Sequence, residues 1–329
     1  MLTLPEFEWA QPRTLSAALE LLAGDPEGAL VVAGGTDAVP NLKHRLHEPR
    51  RVVHIARVDE LRYIREGDSG LALGPLVTLS ELHSHPVVRR DYPSLAKAAG
   101  LVAGPQLRNM GTLGGNLCLD TRCTYYNQTF FWREALGFCL KKDGVHCHVV
   151  PQGRRCVAAH SSDVAPVLIA LSAEVEIAGP SGRRAIGVED FFVGDGVHNN
   201  VLKPGELVVE ITVPKRARAL RTGYQKLRPR GAIDFPMLSV AFAADLDGGC
   251  RSPRLVVSAL AAKPRTIGGL DALVEGQLLD AARIEAIAQA AYRQCRPQTN
   301  VPYDEDYRHE MVPVFVRRAI REAMGETAV

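Results

Sequence analysis

Apolar residues recur at helical spacing in "LSAALELLA" (15–23), directly behind Thr14, whose hydroxyl suits a helix N-cap. The next apolar block, "ALVVA" (29–33), is short and continuous and predicts a buried strand. Gly34 and Gly35 then turn the chain into a helix over about Ala38 to Arg45. "RVVHIA" (51–56) reads as a strand, "LRYIREGDSGLALGP" (61–75) as a hairpin turning at Gly67 to Gly70, and "SLAKAAGLV" (94–102) as a helix. Periodicity then stops. "GPQLRNMGTLGGN" (104–116) is dense in glycine and reads as a shaped loop rather than an element.

The pattern resumes in "SDVAPVLIALSAEVEIAGPSGRRAI", which predicts a helix from about Val164 to Leu171 and a hairpin turning at Gly179 to Gly182. Basic residues interrupt it in "PKRARALRTGY" (214–224), a candidate boundary. Beyond lie strands such as "LSVAFAADL" and "RLVVSALAA" and helices at 281–293 and 312–324, the make-up of an α+β unit. No internal repeat or low-complexity tract occurs.

Composition adds bounds. The 329 residues, 46% hydrophobic and 23% charged, suit a globular protein of two or three domains. A formal net charge of +2 gives no reason to expect nucleic acid or an acidic membrane surface as a partner. The first residues lack a basic segment followed by an apolar run, and no stretch approaches the roughly 20 apolar residues of a membrane span. The expectation is a cytoplasmic protein.

Two features carry chemistry. In "AGGTDAVPNLK", a glycine turn between strand and helix offers backbone amides to a pyrophosphate, although it is neither GxGxxG nor GxxxxGK[ST] and also suits a plain tight turn. The second glycine stretch is an economical candidate for a second ligand-facing loop. The seven cysteines are odd in number and unlike a disulfide framework. Cys118, Cys123, Cys139, Cys147 and Cys156 fall within 39 residues, while Cys250 and Cys295 stand alone. A segment of some thirty residues without clear secondary structure is costly to order, so a cross-linking centre would explain it. Zinc also accepts four thiolates, but usually through C-x2–4-C knuckles, which are absent here; free buried thiols are the plainer alternative.

"VVAGGTDAVPNLK", "GPQLRNMGTLGGN", "SDVAPVLIAL", "YQKLR…DFP" and "SALAAKPR" occur in the order found in the FAD-binding medium subunits of the molybdenum hydroxylase (xanthine oxidase) family, which the chain resembles over essentially its whole length. The resemblance implies an α+β fold: a two-lobed FAD-binding domain of the PCMH/CO dehydrogenase flavoprotein type and a C-terminal α+β domain. The divisions expected are 1–57, 58–213 with an insert at about 118–158, and 214–329. It implies FAD contacts from Ala33, Gly34, Gly35, Thr36 and Asp37 in the first loop and Thr112, Gly114, Gly115 and Asn116 in the second. Asp163 matches an acid that hydrogen-bonds the ribityl or adenosine part, and Lys226 a basic residue near the isoalloxazine. A helix N-cap for Asp163 and a solvated strand charge for Lys226 are the alternatives.

From Asn116 to Asp163 is 47 positions, longer than the link most members use. With "DTRCTYYNQ", "FCLK" and "CHVV", this insert is similar to that of 4-hydroxybenzoyl-CoA reductase β subunits, which carry a [4Fe–4S] cluster. The resemblance implies ligation by Cys123, Cys139, Cys147 and Cys156. Cys118 is committed to the glycine turn. His146 and His148 flank Cys147 and could ligate iron instead, but the expectation is hydrogen-bond donors or surface residues. Six basic residues (Arg122, Arg133, Lys141, Lys142, Arg154, Arg155) against three acids suggest a basic rim for an acidic ferredoxin. The implied partners are a molybdenum-cofactor catalytic subunit and a small [2Fe–2S] subunit in a dimer of heterotrimers, fed by ferredoxin, with no catalytic residue on this chain. The alternatives are the flavin subunit of an outward-flowing xanthine, carbon monoxide or aromatic-ring dehydrogenase, and a zinc-stabilised nucleotide-binding assembly protein.

Overall fold

A computed structural model describes residues 2–326 and gathers their strands into three sheets. The first holds β1 (Glu8–Ala10), β2 (Ala29–Val32) and β3 (Arg51–His54), parallel, in the order β1-β3-β2. The second holds β4 (Ile64–Glu66), β5 (Gly70–Leu73), β6 (Glu174–Gly179), β7 (Gly182–Gly187) and β8 (Leu207–Pro214), antiparallel, in the order β4-β5-β8-β6-β7. The third, β9 (Arg221–Leu227), β10 (Leu238–Asp245), β11 (Arg251–Ser258) and β12 (Arg265–Thr266), is antiparallel in the order β12-β11-β10-β9.

The third sheet explains an apolar run that does not alternate. Ala241 and Ala243 of β10 pack into the core shared with helices Pro93–Leu101 and Val164–Ala170. Leu238, Val240, Phe242 and Ala244 face the other way, into a core with helices Ala281–Gln294 and Glu305–Ala323. Both faces of the strand are covered, so both phases of the period-2 pattern are apolar. One consequence is that this sheet and the second share a core through the helices between them.

Helix Leu15–Gly24 starts at Thr14, whose hydroxyl accepts from the Ala17 amide at 3.2 Å, as its sequence suggests. Three expectations change. The glycine-dense stretch 104–116 contains Pro105–Arg108 and the start of Leu113–Leu117, short helices opened by a proline and by the Thr112 hydroxyl, too brief to show a period. The insert has a helix of its own, Phe130–Ala135, capped by Thr129. The last long helix begins at Glu305 rather than near 312, because Asp304 caps it and the polar opening turns bury Arg308.

Glycine at 223 lets helix and sheet touch: a Cβ there would lie 2.0 Å from the Ala319 carbonyl oxygen. Gly223→Ala must push the last helix off β9, a cost of about 1–3 kcal/mol. Calorimetry is expected to record a lower melting temperature; no change would mean that the helix moves away freely.

Candidate functional site

The turn after β2 and the turn before Leu113–Leu117 meet backbone to backbone. A Cβ on Gly34 would lie 1.8 Å from the Met110 carbonyl oxygen, and one on Gly114 would lie 2.6 Å from Pro75 Cβ. These two glycines are required by chain packing. Gly35 is required by conformation, at φ 70°. Gly115 is different: a Cβ there would have only the Thr112 hydroxyl within 4 Å, and its amide donates to that hydroxyl at 3.1 Å.

Between the two turns lies a cavity of about 580 Å³, within the range of cofactor sites. Ala33, Gly34, Gly35, Thr36 and Asp37 line one side, Thr112, Gly114, Gly115 and Asn116 another, and Asp163 a third. Lys226 does not reach it. Its side chain is 1% exposed, and its ammonium stands behind Asp163 at 2.9 Å and also donates to the Leu101 carbonyl at 3.1 Å. The Tyr224 hydroxyl donates to the other Asp163 oxygen at 2.6 Å. Lys226 is therefore no solvated strand charge. Burial pushes the Asp163 carboxyl up and the Lys226 ammonium down in pKa, each shift opposed by the charge of the other. Asp163 makes no cap bond; the Ser162 hydroxyl accepts from the Ala165 amide at 3.1 Å instead and donates to Asn116 at 2.8 Å.

At the mouth, Ile233 at φ 72° and Ala103 at φ 45° both line the cavity, joined by the Ile233 amide donating to the Ala103 carbonyl at 3.1 Å. Two non-glycine residues in the left-handed region mark a loop held in place by its surroundings.

Cys123, Cys139, Cys147 and Cys156 line one second, small cavity of about 20 Å³. All seven cysteines are unpaired. The four thiols face a common space rather than a common point: among the described residues no group of three or more His, Cys, Asp or Glu is placed to hold a metal ion. Amides donate toward two of the sulfurs, Val150 to Cys147 and Ala158 to Cys156 at 3.4 Å each. Burial pushes the Cys156 thiol up to about 11 and raises that of Cys123. Cys118 lines the larger cavity, its thiol pushed up to about 12 by burial. His148 is bonded to the Phe138 carbonyl at 2.5 Å, and His146 is exposed.

The basic rim is a correction. Arg133 is 1% exposed and donates to the carbonyls of His44 and Arg45 at 3.2 and 3.1 Å. Arg122 pairs with Asp37, and Lys141, 5% exposed, pairs with Asp120 at 2.6 Å. Lys142 pairs with Asp143 at 3.0 Å. Only Arg154 and Arg155 of the six are exposed. Lys141 and Lys142 tie the insert to itself and Arg122 and Arg133 tie it to the segment 37–45, which their sequence spacing does not reveal.

Asp120 and Arg122 also line the larger cavity, a role not foreseen, although both lie in the short stretch between the second glycine turn and Cys123. Burial works against an ionised Asp120, but its bonds to His47 and Lys141 take its pKa to about 2.

Residues 5–216 match the family model of the FAD binding domain in molybdopterin dehydrogenase, and residues 223–323 that of the CO dehydrogenase flavoprotein C-terminal domain. The fold is thus a PCMH-type FAD-binding domain followed by that C-terminal domain, the fold of a flavoprotein. The chain is 29% identical to the carbon monoxide dehydrogenase medium chain of Hydrogenophaga pseudoflava, with 98% of this chain and 99% of that one covered. It is 34% identical to the aldehyde oxidoreductase FAD-binding subunit of Escherichia coli, covering 74% of this chain and 79% of the relative. A solved carbon monoxide dehydrogenase of H. pseudoflava superposes with a TM-score of 0.81 at 28% identity, over 99% of this chain and 100% of that one. The chain belongs to the FAD-binding medium subunits of the molybdenum hydroxylase family, of the carbon monoxide and xanthine dehydrogenase type, and is an oxidoreductase subunit. Among the described residues no helix is long and apolar enough to cross a membrane.

The different demands on the glycines separate in experiment. Gly115→Leu projects a side chain into the cradle and is expected to weaken FAD binding at least tenfold, about 1.4 kcal/mol, while lowering the melting temperature of the apoprotein less than Gly34→Ala, since its Cβ meets only the Thr112 hydroxyl, at 3.0 Å. Gly34→Ala is expected to lower that melting temperature. Flavin absorbance per chain and thermal melts check both, and full occupancy in Gly115→Leu and Gly35→Leu would move the flavin away from these turns.

Proposed function

We propose that this chain is the FAD- and [4Fe–4S]-carrying electron-transfer subunit of a molybdenum enzyme that removes the phenolic hydroxyl of 4-hydroxybenzoyl-CoA reductively, with electrons from reduced ferredoxin. The observation that carries the reading is the convergence of the four insert cysteines on one cavity. Their chemistry fits the group: four free thiols, an amide donor to the sulfur of two of them, and walls that include Tyr125 and Tyr126. The present space is smaller than a four-iron cluster, so assembly would spread the walls. FAD and the cluster, when bound, would supply electron storage and relay. This chain's own residues would cradle the flavin phosphates with the amides of the two glycine turns and position Asp163, with Lys226 behind it, against the rest of the cofactor.

The division of the chain at about 57 and 213 belongs to the same reading. So do the partners, a molybdenum-cofactor catalytic subunit and a small [2Fe–2S] subunit in a dimer of heterotrimers, and a cytoplasmic location. An aromatic ring resists addition of electrons, so the donor must be strongly reducing, a ferredoxin rather than a pyridine nucleotide. A cluster in the segment from Cys123 to Cys156 gives such electrons an entry. The second reading, a flavin subunit passing electrons outward, is favoured by the near full-length similarity to a carbon monoxide dehydrogenase medium chain.

Single Ser substitutions at Cys123, Cys139, Cys147 and Cys156 are expected to lose or degrade bound iron, whereas Cys118→Ser, Cys250→Ser and Cys295→Ser retain it. Iron analysis and EPR of anaerobically prepared protein decide this, and zinc in place of iron would sink the cluster.

The donor test is reconstitution with the molybdenum and [2Fe–2S] subunits, comparing reduced ferredoxin with NADH and 4-hydroxybenzoyl-CoA with xanthine. Turnover of the thioester with ferredoxin is expected. Efficient oxidation of xanthine with NAD, and none of the thioester, would establish the outward direction.

A further inference from the structure

One largely buried ion pair, its lysine 5% and its aspartate 19% exposed, spans the wall between the two cavities. Asp120 lines the larger cavity, whereas Lys141 and Tyr126 line the one surrounded by the four cysteines. The Lys141 ammonium lies 2.6 Å from Asp120 Oδ1 and donates to the Thr121 hydroxyl at 2.6 Å and carbonyl at 3.2 Å. The Tyr126 hydroxyl donates to Asp120 Oδ2 at 2.9 Å, and its ring lies 4.2 Å from the same ammonium. The frame around the pair is stiff: the Thr121 hydroxyl donates to the Gly196 carbonyl at 2.8 Å, and a Cβ on Gly196 would lie 2.7 Å from the Cys156 sulfur.

We propose that Lys141 and Asp120 are positioning residues that set the reduction potential of the centre held by the insert cysteines and fix its place against the flavin cavity. This rests on reading the four cysteines as cluster ligands. An added electron makes a thiolate-ligated centre more negative. A cation held at the cavity wall, with 5% of its side chain exposed, favours that electron with little screening by salt, and the carboxylate one bond further away opposes it. A bridge needed only for mechanical closure would work as well with neutral groups. Here the charges are ordered, the positive one toward the thiols and the negative one toward the flavin.

The test is a stepwise dithionite titration of the purified assembly, following the EPR signal of the reduced cluster at controlled potential. Lys141→Met is expected to lower the ratio of reduced to oxidised cluster about tenfold at a given potential, equivalent to about 59 mV for a one-electron centre. Lys141→Arg, which keeps the charge, is expected to stay within about twofold of the parent. Asp120→Asn, which removes the opposing charge, is expected to raise the ratio. A merely structural pair would not give opposite signs.

An unmoved ratio in Lys141→Met, with parental iron content, overturns this inference alone. Where Lys141→Met loses iron, Asp120→Asn decides: a raised ratio supports the proposal and an unmoved or lowered one overturns it. Absence of iron from the parent protein overturns the cluster reading and this inference together.

Discussion

A methyl group on Gly34 would sit 1.8 Å from the carbonyl oxygen of Met110, so the two turns around the larger cavity touch through main chain alone. That contact joins the three-stranded parallel sheet to the rest of the molecule at the point where β2 ends. Because no side chain intervenes, amides from both turns stand at the rim of one cavity. Most of the site follows from this approach. Gly114 repeats the device against Pro75, bringing the second turn onto the loop after β5. Gly35, set by its backbone conformation, and Gly115, whose missing side chain would meet only the Thr112 hydroxyl, line the same cavity without making that contact.

The insert inherits its position from the same contact. It leaves the chain just after the second turn, at Leu117, and is drawn back onto the first. Leu46 packs with Tyr126 and Cys139 in a small separate core, with Cys123 beside it. Arg133 reaches the carbonyls of His44 and Arg45, which follow the helix Ala38–Lys43, where unpaired carbonyls favour a cation. Arg122 pairs with Asp37 at the start of that helix. The cysteine cavity is thus held against the flavin cavity from both ends of one short helix.

Much of the fold could be read from the sequence, because strands and helices that bury one stripe announce their period. The hairpins at Gly67–Gly70 and Gly179–Gly182 and the helix behind Thr14 are such elements. The short helices at Pro105–Arg108 and Leu113–Leu117 were hidden, since four or five residues cannot display a 3.6-residue repeat. At the site, glycine density pointed to the right turns but not to the division of labour among the glycines, which depends on contacts from residues as distant as Pro75. Charge was least readable. Six basic residues in the insert suggest a surface, yet Arg133 is buried against the carbonyls of His44 and Arg45 and Lys141 against the carboxylate of Asp120, 21 positions away. A sequence shows that a cation is present, whereas its burial is a property of the assembled chain.

Two buried ion pairs, Asp163 with Lys226 and Asp120 with Lys141, place their carboxylates on the wall of the larger cavity and their ammonium groups behind it. Stability alone does not account for them, because desolvating two charges consumes most of their attraction, and well-packed apolar residues often serve as well or better. Position accounts for them better. Each carboxylate is held on both oxygens, Asp163 by Tyr224 and Lys226 and Asp120 by Tyr126, Lys141 and the Thr121 amide, with His47 beside it, so that neither can swing freely. Each lysine comes from a different part of the chain from its acid, Lys226 from β9 of the C-terminal sheet and Lys141 from the far side of the insert. The cavity wall is therefore the place where the C-terminal sheet is tied to the FAD-binding domain by one charge pair and where the insert closes onto its own first residues by another. A shift of either segment would be felt at the wall as a displaced carboxylate.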